Sequence, residues 1–512
     1  MSVVLWFGLL CVAPLDADYL LRGGTVYDGS GKEPVQADVA IKGDRIMAIG
    51  PNLSVGTTTK VLEAKGLIIT PGFIDLHTHS DLPITQPGTR QNLNYLTQGV
   101  TTIVTGNCGM GPVNVASFYQ QVEQHGVGTN VAHLIPHNDV RRQVMGNINR
   151  APSVQELERM KQLVHQGMRE GAWGLSTGLY YTPGSYAQTP ELVELSKVAA
   201  GHRGIYASHI RDEFGGLLDA IQEVITIGKQ ARLPVHVSHL KAAGRPMWGR
   251  SSDALALIAQ ARAKGVQITA DQYPYTAGST SLEATIIPLR YRDGTRAEMI
   301  ARFDDPKVRE AMQDLLKRDE EGKAIRIARY TPRPMWQGKS LAEIATLEKK
   351  TPLEIGMEME RRGGAHIVHF VMNEQDVRLI MKQDFVATAS DGAAMVVGDT
   401  VPHPRSYGCF PRKIGHYALD LKLMPLAQAI RSASGLPADI LQVPQRGYLK
   451  PGYFADIVVF DPTTFRDTAT YDKPHQYASG LKYLFVNGVL TLENGAYQGK
   501  LPGKVLRKMT TP

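Results

Sequence analysis

The sequence predicts a (β/α)8 barrel carrying a small β-rich domain built from both ends of the chain. Three observations lead there. Eight short apolar stretches alternate with helix-like ones through the middle of the chain. Alternating, Gly-punctuated segments recur near the two ends. His, Cys and Asp residues fall at the C-terminal ends of the apolar stretches, where such barrels place their active sites.

The chain opens with "VVLWFGLLCVAP" (Val3 to Pro14), twelve mostly apolar residues. It is too short to span a bilayer. It suits the apolar region of an export signal, although no Lys or Arg precedes it. The other reading is an apolar arm packed on the domain. Residues 1–17 are set aside on this basis, with export or a cytoplasmic location as the matching alternatives. From Asp18, "DYLLRGGTVYDGSG" and "ADVAIKGDRIMAIG" read as hairpins. The pattern returns in "RGYLKPGYFADIVVFD" and "YLFVNGVLTLENGAYQG". The two pieces, 18–68 and 441–512, are expected to pair into one small domain; two unrelated capping hairpins are the alternative.

Between them, 69–440, the expected barrel strands are 73–77, 100–107, 131–137, 173–178, 205–210, 235–240, 266–273 and 385–391. Stretches such as "SVQELERMKQLVHQGMREG" supply the helices. About 110 residues separate the seventh and eighth strands. They include the charged "RFDDPKVREAMQDLLKRDEEGK", so a mostly helical insert, about 285–365, is expected over the barrel mouth.

Length and composition bound the rest. At 512 residues the chain can hold one large domain and a smaller one. It is 43% hydrophobic and 21% charged, as soluble globular proteins are. The net charge of +7 is dispersed, with no Lys/Arg run of the kind that binds nucleic acid. Three cysteines cannot build a disulfide framework. No further apolar segment reaches spanning length, so no stable membrane span is expected.

The chemistry gathers at the strand ends. The first strand runs into "HTH", with His77 and His79 one residue apart. In a strand such residues point to one side. Cys108 ends the second strand in "TGNCGMGP", His209 the fifth in "YASHIRDE", and His239 the sixth in "VSHLKAAG". Asp391 ends the eighth in "ATASDG". Each alone has an ordinary structural explanation; six together at strand ends point to a metal centre. His, Cys and Asp are zinc-type ligands, able to hold one tight site or two bridged by a thiolate. His133, His137, His366, His369 and His202 are read as structural or surface residues.

These stretches, with "WGLSTGLYYTPG", "VHVSHLKAAG", "ITADQYPYTAGST" and the C-terminal "GYLKPGYFADIVVFD", resemble the amidohydrolase superfamily. More closely they resemble its N-acyl-D-amino-acid deacylases. The likeness runs from Asp18 to about Gly499. The Cys in "GNCG" and the thirty-residue spacing from His209 to His239 are its specific marks. Many superfamily relatives bridge two metals with a carboxylated lysine after strand four. Here "WGLSTGLYY" holds no lysine, and Cys108 is the candidate bridge.

The resemblance implies a zinc enzyme with a barrel and a β-sandwich formed by both termini. Cys108, His209 and His239 would hold a tight zinc. His77 and His79 would add a second, weaker site with Cys108. Asp391 would be the general acid/base in hydrolysis of N-acyl-D-amino acids. A substrate carboxylate beside the scissile amide calls for a partner. Lys241, Tyr273 and Arg405 are the candidates, with Tyr181 as a further contact. A cyclic-amide hydrolase of the hydantoinase or dihydroorotase type and a D-terminal dipeptidase are the alternatives, and a non-catalytic barrel scaffold is the reading from another class. The oligomeric state is left open.

Overall fold

A computed structural model describes residues 14–509. The apolar N-terminal stretch therefore lies, up to residue 13, outside the described residues. No helix among the described residues is long and apolar enough to cross a membrane.

Eight parallel strands ring the barrel. They are β1 (Phe73–Asp75), β2 (Val100–Thr105), β3 (Asn130–His133), β4 (Gly174–Gly178), β5 (Ile205–His209), β6 (Val235–Val237), β7 (Ile268–Gln272) and β8 (Val386–Thr388). β3 resumes after Leu134 as Ile135–Pro136, which pairs with β4. The ring closes where β1 runs out. His79 donates its backbone N–H to Gly392 O at 2.7 Å, and Asp391 donates to His77 O at 2.8 Å. The seam that closes the barrel is thus made by the HTH and SDG segments themselves.

Side chains alternate along the strands as the pleat requires. On β5, Tyr206 packs outward among the helices. Ile205 and Ala207 pack inward with Ile74, Val104, Ala132 and Ala387. The helix Gly435–Leu441 supplies Leu436, Ala438 and Leu441 to this inner core. The barrel is therefore filled with apolar side chains, and the next inward position on β5 is His209. The outer helices have local reasons to form. Val154–Arg169, for example, begins with a reciprocal capping box between Ser153 and Glu156.

The two ends of the chain do meet. Ile68–Pro71 runs antiparallel to Ile457–Phe460, which joins the terminal pieces into one nine-stranded sheet. Tyr19 and Phe485 lie two strands further apart along that sheet, yet their rings touch edge to face at 5.1 Å. The sheet therefore curls over a shared core that includes Leu21, Val39, Ile69, Ile457 and Phe485.

The long connection between β7 and β8 has its own core, built around Phe303, Met312, Ile327, Trp336 and Ile355. Helices such as Pro306–Arg318 and Pro352–Arg361 dominate it. It also carries a three-stranded antiparallel sheet of Gly278–Ser281, His366–His369 and Ile325–Arg329. That sheet brings His369 to the barrel mouth.

Candidate active site

Cys108 stands at the centre of the mouth. Its Sγ lies 3.3 Å from His77 Nε2, 3.7 Å from His209 Nδ1 and 3.8 Å from His239 Nε2. The backbone reaches this point by a tight turn, Asn107–Gly109, in which Cys108 itself has φ 52°. Non-glycine residues adopt that region at a cost. Two flanking glycines make the turn possible. A Cβ on Gly106 would lie 2.1 Å from Leu134 O, and one on Gly109 would lie 2.1 Å from Asn138 Oδ1. Ser176 pins the turn from β4, donating to Gly106 O and accepting the Gly109 N–H at 3.1 Å. The "GLSTG" segment thus holds the cysteine in place.

His239 and Asp391 are also left-handed, with φ 36° and 50°. A carboxylate enforces the first. Asp271 Oδ1 accepts the His239 N–H at 2.6 Å. Its Oδ2 sits 2.8 Å from His236 Nε2 and 3.6 Å from His77 Nδ1. On the other flank Glu213 Oε1 sits 2.9 Å from His239 Nδ1 and 2.5 Å from Lys241 Nζ. Glu213 Oε2 lies 4.0 Å from His209 Nε2. The outer nitrogens of His77, His209 and His239 therefore all face carboxylates, while the inner ones converge on Cys108.

Charge balances inside this buried cluster. Burial alone would push the Cys108 thiol up; His77, His209 and His239 reverse this and hold it well below the usual thiol range. Burial likewise opposes ionisation of Glu213, but Lys241, His209 and His239 outweigh it and hold its carboxyl below the usual range. The same holds for Asp391, where Arg405, His77 and His239 overcome burial. Asp391 Oδ1 lies 3.0 Å from His79 Nε2 and 3.5 Å from His77 Nε2. Its Oδ2 lies 2.8 Å from Arg405 Nη1.

The other candidate residues surround this core. Lys241 is buried against Glu213, and its Nζ is also 2.8 Å from His239 Nδ1. Tyr273 stands between two cations, with Lys241 Nζ 5.8 Å and the Arg405 guanidinium 4.6 Å from its ring. Its buried hydroxyl has no hydrogen-bond partner among the described residues. Tyr181 packs edge-on against His209 and shares a 2.9 Å hydrogen bond with Thr280. Lys241, Tyr273 and Tyr181 line an inner cavity of about 70 Å³ together with His79, Cys108, Tyr180, Phe214 and His369, and Arg405 stands behind Tyr273 and Asp391. A larger cavity of about 660 Å³ near Asn149 and Arg290 lies apart from the metal-type residues.

Of the remaining histidines, His133 holds the loop after Cys108 through Thr105 Oγ1 at 2.8 Å and Pro112 O at 2.9 Å. His137 pairs with Glu191 at 2.9 Å. His202 meets His165 at the surface. His366 is exposed on its strand. Sequence reasoning passed over Glu213, Asp271 and His236. Glu213 does stand four residues after His209, but a carboxylate in a loop carries no signal of its own.

The donor set suits a metal ion. His77, Cys108 and His239 offer ligand atoms within 4.8 Å of one another, and so do His77, His79 and Asp391. Carboxylates backing the outer imidazole nitrogens are the usual support of histidine ligands. A barrel whose strand ends converge in this way, with an ionised aspartate on the rim, belongs to the metal-dependent hydrolases. Residues 60–492 match the amidohydrolase family, and the chain belongs to it, in the branch of the N-acyl-D-amino-acid deacylases. It is 35% identical to a D-aminoacylase of Alcaligenes xylosoxydans xylosoxydans over 96% of this chain and 98% of that one. A solved D-aminoacylase structure with a binuclear metal centre matches at 32% identity with TM-score 0.83, covering 96% of this chain and all of that one. An N-acyl-D-glutamate deacylase from Bordetella bronchiseptica, solved with zinc and a phosphonate mimic of the tetrahedral intermediate, matches equally well at 32% and 0.83, over the same shares.

Proposed function

We propose that this chain hydrolyses the amide bond of N-acyl-D-amino acids, releasing a carboxylate and a free D-amino acid. The single observation that carries the chemistry is the placement of Asp391. One oxygen faces the His77/His79 pair and the other is held by Arg405. Cys108, His209 and His239 would hold a tight zinc, and His77 and His79 a second, weaker one sharing Cys108. Zinc in such a site acts as a Lewis acid toward the carbonyl and makes water nucleophilic near neutral pH. Asp391, ionised in the resting chain, takes the proton of the attacking water. It then returns that proton to the departing nitrogen, which leaves poorly as an anion. Glu213 and Asp271 keep the imidazoles oriented throughout.

The substrate carboxylate is assigned to Tyr273 and the two cations beside it. An unpaired buried hydroxyl costs about 1–3 kcal/mol, and a carboxylate arriving between Lys241 and Arg405 would satisfy it. Tyr181 closes the same wall. A clamp fixed beside a fixed metal accepts one stereoisomer, and the relatives act on the D series. The test is a panel of N-acyl-D- and N-acyl-L-amino acids, D-terminal dipeptides and a hydantoin, assayed with zinc-loaded protein. Turnover confined to N-acyl-D-amino acids is expected. Preference for the L series or for the hydantoin would overturn the reading.

A further inference from the structure

His77 lacks a partner that its neighbour His239 has. A histidine that holds a metal through one ring nitrogen normally donates the other N–H to a carboxylate or carbonyl, which orients the ring and strengthens the ligand. His239 meets this rule, with Glu213 Oε1 2.9 Å from its outer nitrogen. His77 does not. Its Nε2 faces Cys108, so its Nδ1 must carry the proton when a metal binds. That Nδ1 is buried and has no hydrogen-bond partner among the described residues. The carboxylate oxygen it faces, Asp271 Oδ2, stands 3.6 Å away, beyond hydrogen-bond range.

The reason lies one layer deeper in the barrel. Both Asp271 oxygens are already engaged, Oδ1 by the His239 N–H at 2.6 Å and Oδ2 by His236 Nε2 at 2.8 Å. His236 reaches Asp271 because of register. It pairs directly with Thr269 across β6 and β7, and Asp271 stands two residues further along the same face. Thr269 Oγ1, 2.8 Å from His236 Nδ1, fixes the other side of the ring. An imidazole that accepts from a hydroxyl at Nδ1 donates at Nε2, so His236 presents an N–H to the carboxylate. Held on both sides, the ring keeps Asp271 Oδ2 away from His77.

This pull falls on one of the two metal positions. In the reading above, His77 belongs to the second, weaker position and not to the tight one. Asp391 joins His77 and His79 in that donor group, so the strength of the position decides how free the proton acceptor stays. We propose that His236 is a positioning residue which, by engaging Asp271, keeps the second zinc position weak while leaving the tight one intact. This rests on the two-position metal reading above.

The experiment titrates zinc into metal-free protein against a chromophoric chelator and reads two stepwise affinities. His236→Met, apolar and of similar size, frees Asp271 Oδ2 for His77. It should tighten the second step about tenfold, the lower end of what support behind a ligand histidine contributes. The first step should not change. His236→Gln keeps a donor for Asp271 and should match the wild type. Thr269→Val, one bond further from the metal, should shift the second step in the same direction as His236→Met. Thr269 and His236 line a cavity of about 430 Å³ at the barrel base, so water there can meet the polar group that each variant leaves behind. A second step unchanged or weakened in both variants would overturn the inference. So would a parallel loss at both steps, which marks a purely structural role. One zinc in the wild type and in every variant would also defeat it and leave the tight site standing. A wild type that takes up no zinc would defeat the metal reading instead.

Discussion

Asp271 holds His239 by the main chain, accepting its backbone N–H at 2.6 Å where His239 turns to φ 36°. The other Asp271 oxygen faces His236 and His77. One buried carboxylate therefore sets the backbone of one metal-type histidine and faces the outer nitrogen of another. Asp271→Asn should keep the fold and weaken zinc binding about 10- to 100-fold, the usual scale for loss of such support. Competition with a chelator measures it. Wild-type affinity in the variant would show the carboxylate to be merely structural.

Cys108 should be indispensable as a ligand. Its thiol, held low by His77, His209 and His239, has nothing else to do among three inward nitrogens. Cys108→Ala should strip zinc and abolish activity, and His239→Ala should behave alike. Full zinc content and full turnover in either variant, read by elemental analysis and assay, would refute the assignment.

Asp391→Asn keeps the size and removes the proton acceptor. Turnover should fall by roughly a hundredfold or more, with zinc largely retained. A near wild-type rate would sink the proton-transfer role.

Arg405 and Lys241 should differ in how they fail. Arg405 touches Asp391, whereas Lys241 touches Glu213 and His239. Arg405→Gln should raise KM for N-acyl-D-amino acids far more than for uncharged amide analogues. Lys241→Met should raise KM and also lower zinc affinity, because Glu213 loses its counter-charge. Equal effects on charged and uncharged substrates would argue against the clamp.

The insert carries a pH-sensitive group away from the site. Burial pushes the Glu360 carboxyl up to about 7, against the pull of Arg296. Between its ordinary value of 4.5 and 7 the folded state keeps a proton that the unfolded chain has lost. Stability should therefore fall as pH rises through that window, by about 3 kcal/mol in all. Glu360→Gln should flatten the decline, as seen in melting curves at pH 5 and pH 8. An unchanged slope would place the titration elsewhere.

Much of the architecture was legible in local pattern. Short apolar stretches alternating with helix-like ones placed the eight strands, because a strand's period of two and its bounding turns are written in neighbouring residues. The three-stranded sheet of the insert was not. Ile325–Arg329 follows directly on the charged, helix-like run that marked the insert as helical, and its partner His366–His369 lies some forty residues on.

The site divides in the same way. From the sequence alone, His77, His79, Cys108, His209, His239 and Asp391 stood out, since each ends a strand and strand ends share one face of a barrel. The tertiary structure alone decided what each of them touches. Glu213 and Asp271 became supports, Lys241 was drawn onto Glu213, and Arg405 onto Asp391. It also set the glycine-lined turn that pushes Cys108 among the imidazoles. The reason is range. Strand period is a property of adjacent residues, but an ion pair depends on a few ångströms between side chains separated by tens to hundreds of positions, and only the closed barrel fixes that distance.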